Sequence, residues 1–166
     1  MHLFSKPGSM KTLFIVQGKT TATYDKEAIA EYIKRIDRMM NFELVVLPDL
    51  KNTKRLSQEI QKKQEADLLR KVLQPGDHIV LLDEKGSEFS SVNFAKWMEK
   101  KMSTVNKRLV FIIGGPYGFS TDIYNLAAEK IALSKMTFSH QMIRVIFIEQ
   151  LYRALSILNN SPYHHE

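Results

Sequence analysis

Short apolar runs alternate along this chain with longer segments in which apolar residues return every three or four positions. The run TLFIVQ at 12–17 is rich in β-branched and aromatic residues and stops at Gly18, which predicts a strand. From Asp25, Ile29, Tyr32, Ile33, Ile36 and Met40 recur at helical spacing opposite a face of Lys and Arg. A second strand is expected at 42–47, closed by Pro48. Residues 49–64 are poor in apolar residues. They predict a loop and then an exposed helix that reaches the core near Leu68, Leu69, Val72 and Leu73. Pro75-Gly76 marks a turn, and a third strand follows at 78–82. Ser90 or Ser91 opens a helix carrying Phe94, Trp97, Met98 and Met102.

The fourth run, at 109–113, is apolar at every position, as in a strand covered on both faces. Gly114, Gly115 and Gly118 follow within five positions and account for three of the chain's seven glycines. Such a loop needs unusual backbone angles or close approach to something bound. Ser120 is suited to cap the next helix and Asp122 to its positive end. In that helix Ile123, Tyr124, Ala127, Ala128 and Ile131 form an apolar face. A fifth strand is expected at 133–138 and a last helix at 141–158. Alternating strands and helices specify an α/β fold with a largely parallel sheet and helices on both faces. The last helix is apolar nearly all round. One face on the sheet and another on a second copy would account for that, which points to a homodimer.

The length, 166 residues, suits a single domain over 10–166. Met10-Lys11 reads as a natural start, so residues 1–9 are expected to be an extension. There are no cysteines, which excludes disulfides, thiolate metal sites and a cysteine nucleophile. No stretch resembles a secretion signal or a membrane span, and a cytoplasmic location is expected. The formal charge of +6 favours polyanionic partners. Lys51, Lys54, Arg55, Lys62 and Lys63 form either an ordinary solvated face or an arm that contacts an RNA backbone.

Gly18-Lys19-Thr20 lacks the upstream glycine of a P-loop, because position 13 is Leu. Asp49 could end the second strand of a dinucleotide fold, but the glycine cluster follows the fourth strand and not the first. There is no nucleophile elbow, no paired-carboxylate signature and no zinc motif. His164, His165 and Glu166 could supply metal ligands, yet adjacent residues seldom converge on one ion, and no metal is expected.

Four segments taken in order, LLDEKG at 81–86, IIGGPYGFS at 112–120, LSKMTFSHQMIRVIFIEQLYRA at 133–154 and a terminal NNSPYHHE, resemble the RlmH family. These are ribosomal RNA large-subunit methyltransferases of the SPOUT class, and the resemblance runs from Met10 to Glu166. It implies a homodimer with a C-terminal trefoil knot. It also implies S-adenosylmethionine as methyl donor and N3 of a pseudouridine in the helix 69 loop of 23S rRNA as acceptor, on assembled ribosomes. Donor-binding positions carried over are Leu82, Gly114, Gly115 and the run Ser134, Lys135, Met136, Thr137, Phe138 and Ser139. Candidates for proton removal or anion stabilisation are His140, Arg144, Tyr163 and His164, with the tail closing over the partner's donor. Some relatives have arginine near His165, which leaves the role of that histidine open. The rival expectations are a SPOUT enzyme acting on another RNA, such as tRNA, and a ribosome-binding protein of the same fold without activity.

Overall fold

The computed structural model describes residues 10–160; Tyr163, His164 and His165 lie outside the described residues. Five strands, β1 (Lys11–Gln17), β2 (Phe42–Leu47), β3 (His78–Glu88), β4 (Arg108–Ile113) and β5 (Glu129–Ala132), form one sheet in the order β2-β1-β4-β3-β5. Every pairing between neighbours is parallel. The helices are α1 (Thr23–Asp37), α2 (Gln58–Val72), α3 (Ser91–Thr104), α4 (Thr121–Leu126) and α5 (Met142–Leu158).

The two-residue period of the central strands sends side chains to two separate cores. Phe14, Val16, Leu109 and Phe111 face α1, α3 and α5. Leu13, Ile15, Val110 and Ile112 face α2 and α4. On the first face Phe147 of α5 sits 4.5 Å from Phe14 and 4.7 Å from Phe111, ring centre to ring centre. The covered fourth strand and the two helical layers are therefore as the sequence predicts.

The region after β4 differs from expectation. α4 ends at Leu126, and the fifth strand is residues 129–132 and not 133–138. Ile131, which fits the helical spacing, is a strand residue paired with β3. Glu129 fixes the start of that strand: its carboxylate is hydrogen bonded with His78 Nε2 at 2.7 Å and accepts Trp97 Nε1 at 2.9 Å. Lys101 Nζ adds an ion pair at 2.7 Å.

β3 also runs past the expected end. Leu82 and Ser87 both pair with Ile131, so residues 83–86 leave the ladder and return to it. Gly86 makes that excursion possible, because a Cβ there would lie 2.5 Å from the Ile131 backbone nitrogen. Residues 133–141 are then released as a loop at the carboxyl edge of the sheet before α5 packs on α1 and α3.

Candidate active site

Three loops meet at the carboxyl edge of β3, β4 and β5, where open α/β sheets place their ligands. They enclose a cleft of about 620 Å³. Its walls are residues 82–85 at the end of the ladder and in the excursion, the 113–119 loop, and Ser134, Met136, Thr137, Phe138 and Ser139. Leu82, Gly114 and Gly115 share that lining, so the carried-over donor positions converge on one space. Lys135 is exposed and does not contribute to the lining.

The loop after β4 is a tight turn. Gly118 donates its N–H to the Gly115 carbonyl at 3.1 Å, with Pro116 in the second position of the turn and a positive φ of 79° at Gly118. The other two glycines answer to crowding within the protein. A Cβ on Gly114 would lie 3.0 Å from the Phe119 ring, and one on Gly115 would lie 2.5 Å from Glu65 Oε1. Close approach to a bound group was expected, and the groups that crowd Gly114 and Gly115 are instead side chains packed behind the loop.

Tyr124 braces the opposite wall. Its hydroxyl donates to Asp83 Oδ2 at 2.5 Å. Burial, then the Asp83 carboxylate, pushes the phenol up to about 12. Asp83 and Glu84 bring negative charge to a wall otherwise made of backbone and apolar groups.

Arg144 is almost wholly buried at the first turn of α5. Its guanidinium donates to the carbonyls of Gln17 at 2.6 Å, Gly18 at 2.8 Å and His140 at 3.1 Å. Gln141 reinforces this join: its Nε2 donates to the Lys19 carbonyl and its Oε1 accepts the Thr21 N–H. The end of β1 and the start of α5 are thus clamped together. His140 borders the cleft from that clamp. Burial and the adjacent Arg144 charge hold its imidazole below the ordinary value, against a smaller opposing pull from Asp49. It is therefore mainly neutral at pH 7, with Nδ1 3.5 Å from Arg144 Nη2.

Glu65 of α2 was not visible as a site residue in the sequence. It is buried behind Gly115 and accepts hydrogen bonds from Gln61 Nε2 at 3.3 Å and from the Gly115 N–H. Burial pushes its carboxyl up, and those two donors pull it back part of the way. The available signal was an acid beside Ala66 and four positions before Leu69, on the side of α2 that meets the core.

The family model described as "Predicted SPOUT methyltransferase" matches residues 10–164. The chain belongs to the SPOUT methyltransferase family. It is 62% identical over 157 residues to the "Ribosomal RNA large subunit methyltransferase H" of Parabacteroides distasonis, covering 95% of this chain and 100% of that protein. The protein of the same name from Porphyromonas gingivalis ATCC 33277 is 49% identical over the same coverage. Among solved structures, a probable methyltransferase from Bordetella pertussis Tohama I matches with a TM-score of 0.54 and 15% identity, over 88% of this chain and 95% of that one. That likeness shows a shared fold. Among the described residues no group of His, Asp and Glu is arranged to hold a metal ion, and no helix is long and apolar enough to cross a membrane.

Proposed function

We propose that this SPOUT methyltransferase uses S-adenosylmethionine to methylate N3 of a pseudouridine in the helix 69 loop of 23S rRNA, on assembled ribosomes in the cytoplasm. The observation that carries the reading is full-length similarity, at 62% identity, to a protein named for methylating large-subunit ribosomal RNA. The net charge of +6 suits an RNA partner.

The cleft fits the donor in chemical type. A neutral adenosine needs an apolar wall and backbone amides and carbonyls, which Leu82 and the 134–139 loop provide. No polyphosphate has to be cradled, and Asp83 and Glu84 suit a positively charged group. Once bound, the donor supplies an electrophilic methyl carried on a sulfonium. The Gly115 turn and the 134–139 loop would hold it in place. His140, kept neutral, takes the N3 proton so that the base becomes the better nucleophile. Arg144 acts by positioning, since its fork fixes His140 and the end of β1. Placing N3 against the methyl in the correct line contributes much of the acceleration.

The active unit in this proposal is a homodimer with a C-terminal trefoil knot. Support for a second copy comes from α5, whose Val145, Ile146, Tyr152 and Ile157 stay only half-buried in one chain, and from exposed Met136, Phe138 and Met142 beside the cleft. Tyr163 and His164 of one copy close over the other's donor, with Tyr163 stacking on the base.

The test is methyl transfer to ribosomes from a strain lacking this enzyme, with the modified nucleotide identified by mass spectrometry. Methyl on N3 of a large-subunit pseudouridine is the expected result. Methyl on tRNA would overturn the substrate assignment.

A further inference from the structure

A second cavity, of about 250 Å³, lies on the other side of the Gly114–Pro116 turn from the donor cleft. The two spaces share residues 113–116 and His140 as a common wall. The far side of the second is polar: Asp49, Thr53, Gln61 and Glu65 all line it. Its volume is below the ~300–1,000 Å³ of sites for larger ligands, so it suits a single ring. Glu65 is the most buried acid on that lining and has two hydrogen bonds, from Gln61 and Gly115. A carboxylate offers about four lone-pair directions, so acceptor capacity remains.

The rim is basic. Thr53 belongs to a short 3-10 turn, Thr53–Arg55, and Lys51, Lys54 and Arg55 around it are exposed. A strand of RNA held by those cations could swing one base inward, as enzymes that work on bases do. The base would then lie against the wall it shares with the donor cleft and with His140.

We propose that this second cavity receives the target base, and that Glu65 accepts the N1–H that pseudouridine carries and uridine lacks. In uridine N1 is bonded to the sugar and has no hydrogen to offer. In pseudouridine the sugar bond is at C5, so N1–H and N3–H lie on the same ring two positions apart. One can meet Glu65 while the other faces the methyl donor. A site built around an N–H donor rejects the analogue without it, because its own buried acceptor is left unpaired. Glu65 is then a specificity residue in contact with substrate, and the 51–55 cations hold the adjoining phosphates.

This inference rests on the proposed pseudouridine methyltransferase activity, and the experiment separates the two. Ribosomes lacking the methyl group are prepared with pseudouridine or with uridine at the target position. Wild type and Glu65→Gln are compared on both, and donor affinity is measured by calorimetric titration. Wild type is expected to prefer pseudouridine at least ~10-fold. Glu65→Gln, whose amide can still accept from Gly115, should lose roughly 10-fold or more in kcat/KM on pseudouridine ribosomes. Its rates on pseudouridine and uridine ribosomes should then differ by no more than about twofold. Discrimination that survives in Glu65→Gln, or donor binding that falls in step with the rate, overturns the assignment of Glu65. Equal wild-type rates on both ribosomes also overturn it while leaving the methyltransferase reading standing. Wild type that labels neither defeats both.

Discussion

The Tyr124 hydroxyl donates to Asp83 Oδ2 at 2.5 Å, tying α4 to the part of β3 that leaves the sheet. Both residues line the cleft. Removing the hydroxyl frees the 83–86 wall. Tyr124→Phe should weaken donor binding by roughly tenfold, about 1.5 kcal/mol for a part-buried hydrogen bond to a charged group. Calorimetric titration with S-adenosylmethionine measures it, and unchanged affinity would show that the wall stands without Tyr124.

The same phenol should mark alkaline denaturation. Its value is raised from 10.0 to about 12 in the folded protein, so the fold holds that proton more tightly than the unfolded chain does. The resulting stabilisation is fully present below pH 10 and is lost as pH rises through about 12. Near-ultraviolet titration of wild type minus Tyr124→Phe should show one tyrosine ionising near 12. A difference curve centred near 10 would contradict the burial and the bond.

His140 shifts in the other direction. With its imidazole held below 6.5, the folded protein favours the neutral form. Stability from this group is present above the ordinary histidine value and is lost as pH falls through the lowered one. The acid limb of methyl transfer should accordingly lie below pH 6.5. His140→Asn should remove that limb and reduce kcat by roughly 100-fold or more. An unchanged pH profile would exclude His140 as the proton acceptor.

Arg144 separates structure from chemistry. Arg144→Ala leaves three backbone carbonyls without their donor and should cost roughly 3 kcal/mol or more in urea unfolding. Arg144→Lys keeps the charge but loses the planar fork, and should fall between the two. If Arg144→Ala were as stable as wild type and yet inactive, the guanidinium would act on substrate directly.

Gly86→Ala tests the excursion itself. The added methyl meets the Ile131 backbone and no flexible side chain can give way, so roughly 2 kcal/mol of stability should be lost. Because 83–85 and Ile131 line the cleft, donor affinity should fall as well. Thermal unfolding and calorimetry read the two effects separately.

The sheet was legible because burial on both sides leaves an unmistakable run such as 109–113, and the helices because their apolar faces recur at 3.6-residue spacing. The fifth strand was misplaced for a physical reason. Ala127, Ala128 and Ile131 continue a helical spacing by coincidence, while the pairing of 129–132 depends on a partner strand that bends out and back. The glycine turn was visible because three glycines cluster within five positions, whereas Leu82 came only from the resemblance to the RlmH family. Glu65 was not, since what distinguishes it is a contact with Gly115, fifty positions later in the chain. Arg144 was noticed for its charge, and only the fold shows that the charge is spent on backbone carbonyls.

The Arg144 clamp has a consequence for how the enzyme is made. Its hydrogen bond to the Gly18 carbonyl joins residues 126 positions apart. That closes roughly three quarters of the chain into one loop, a long-range contact that slows folding. While a nascent chain still holds α5 inside the exit tunnel, the β1 loop has nothing to fasten to and His140 has no fixed place. The methyltransferase thus reaches working order only after the ribosome that makes it has delivered α5.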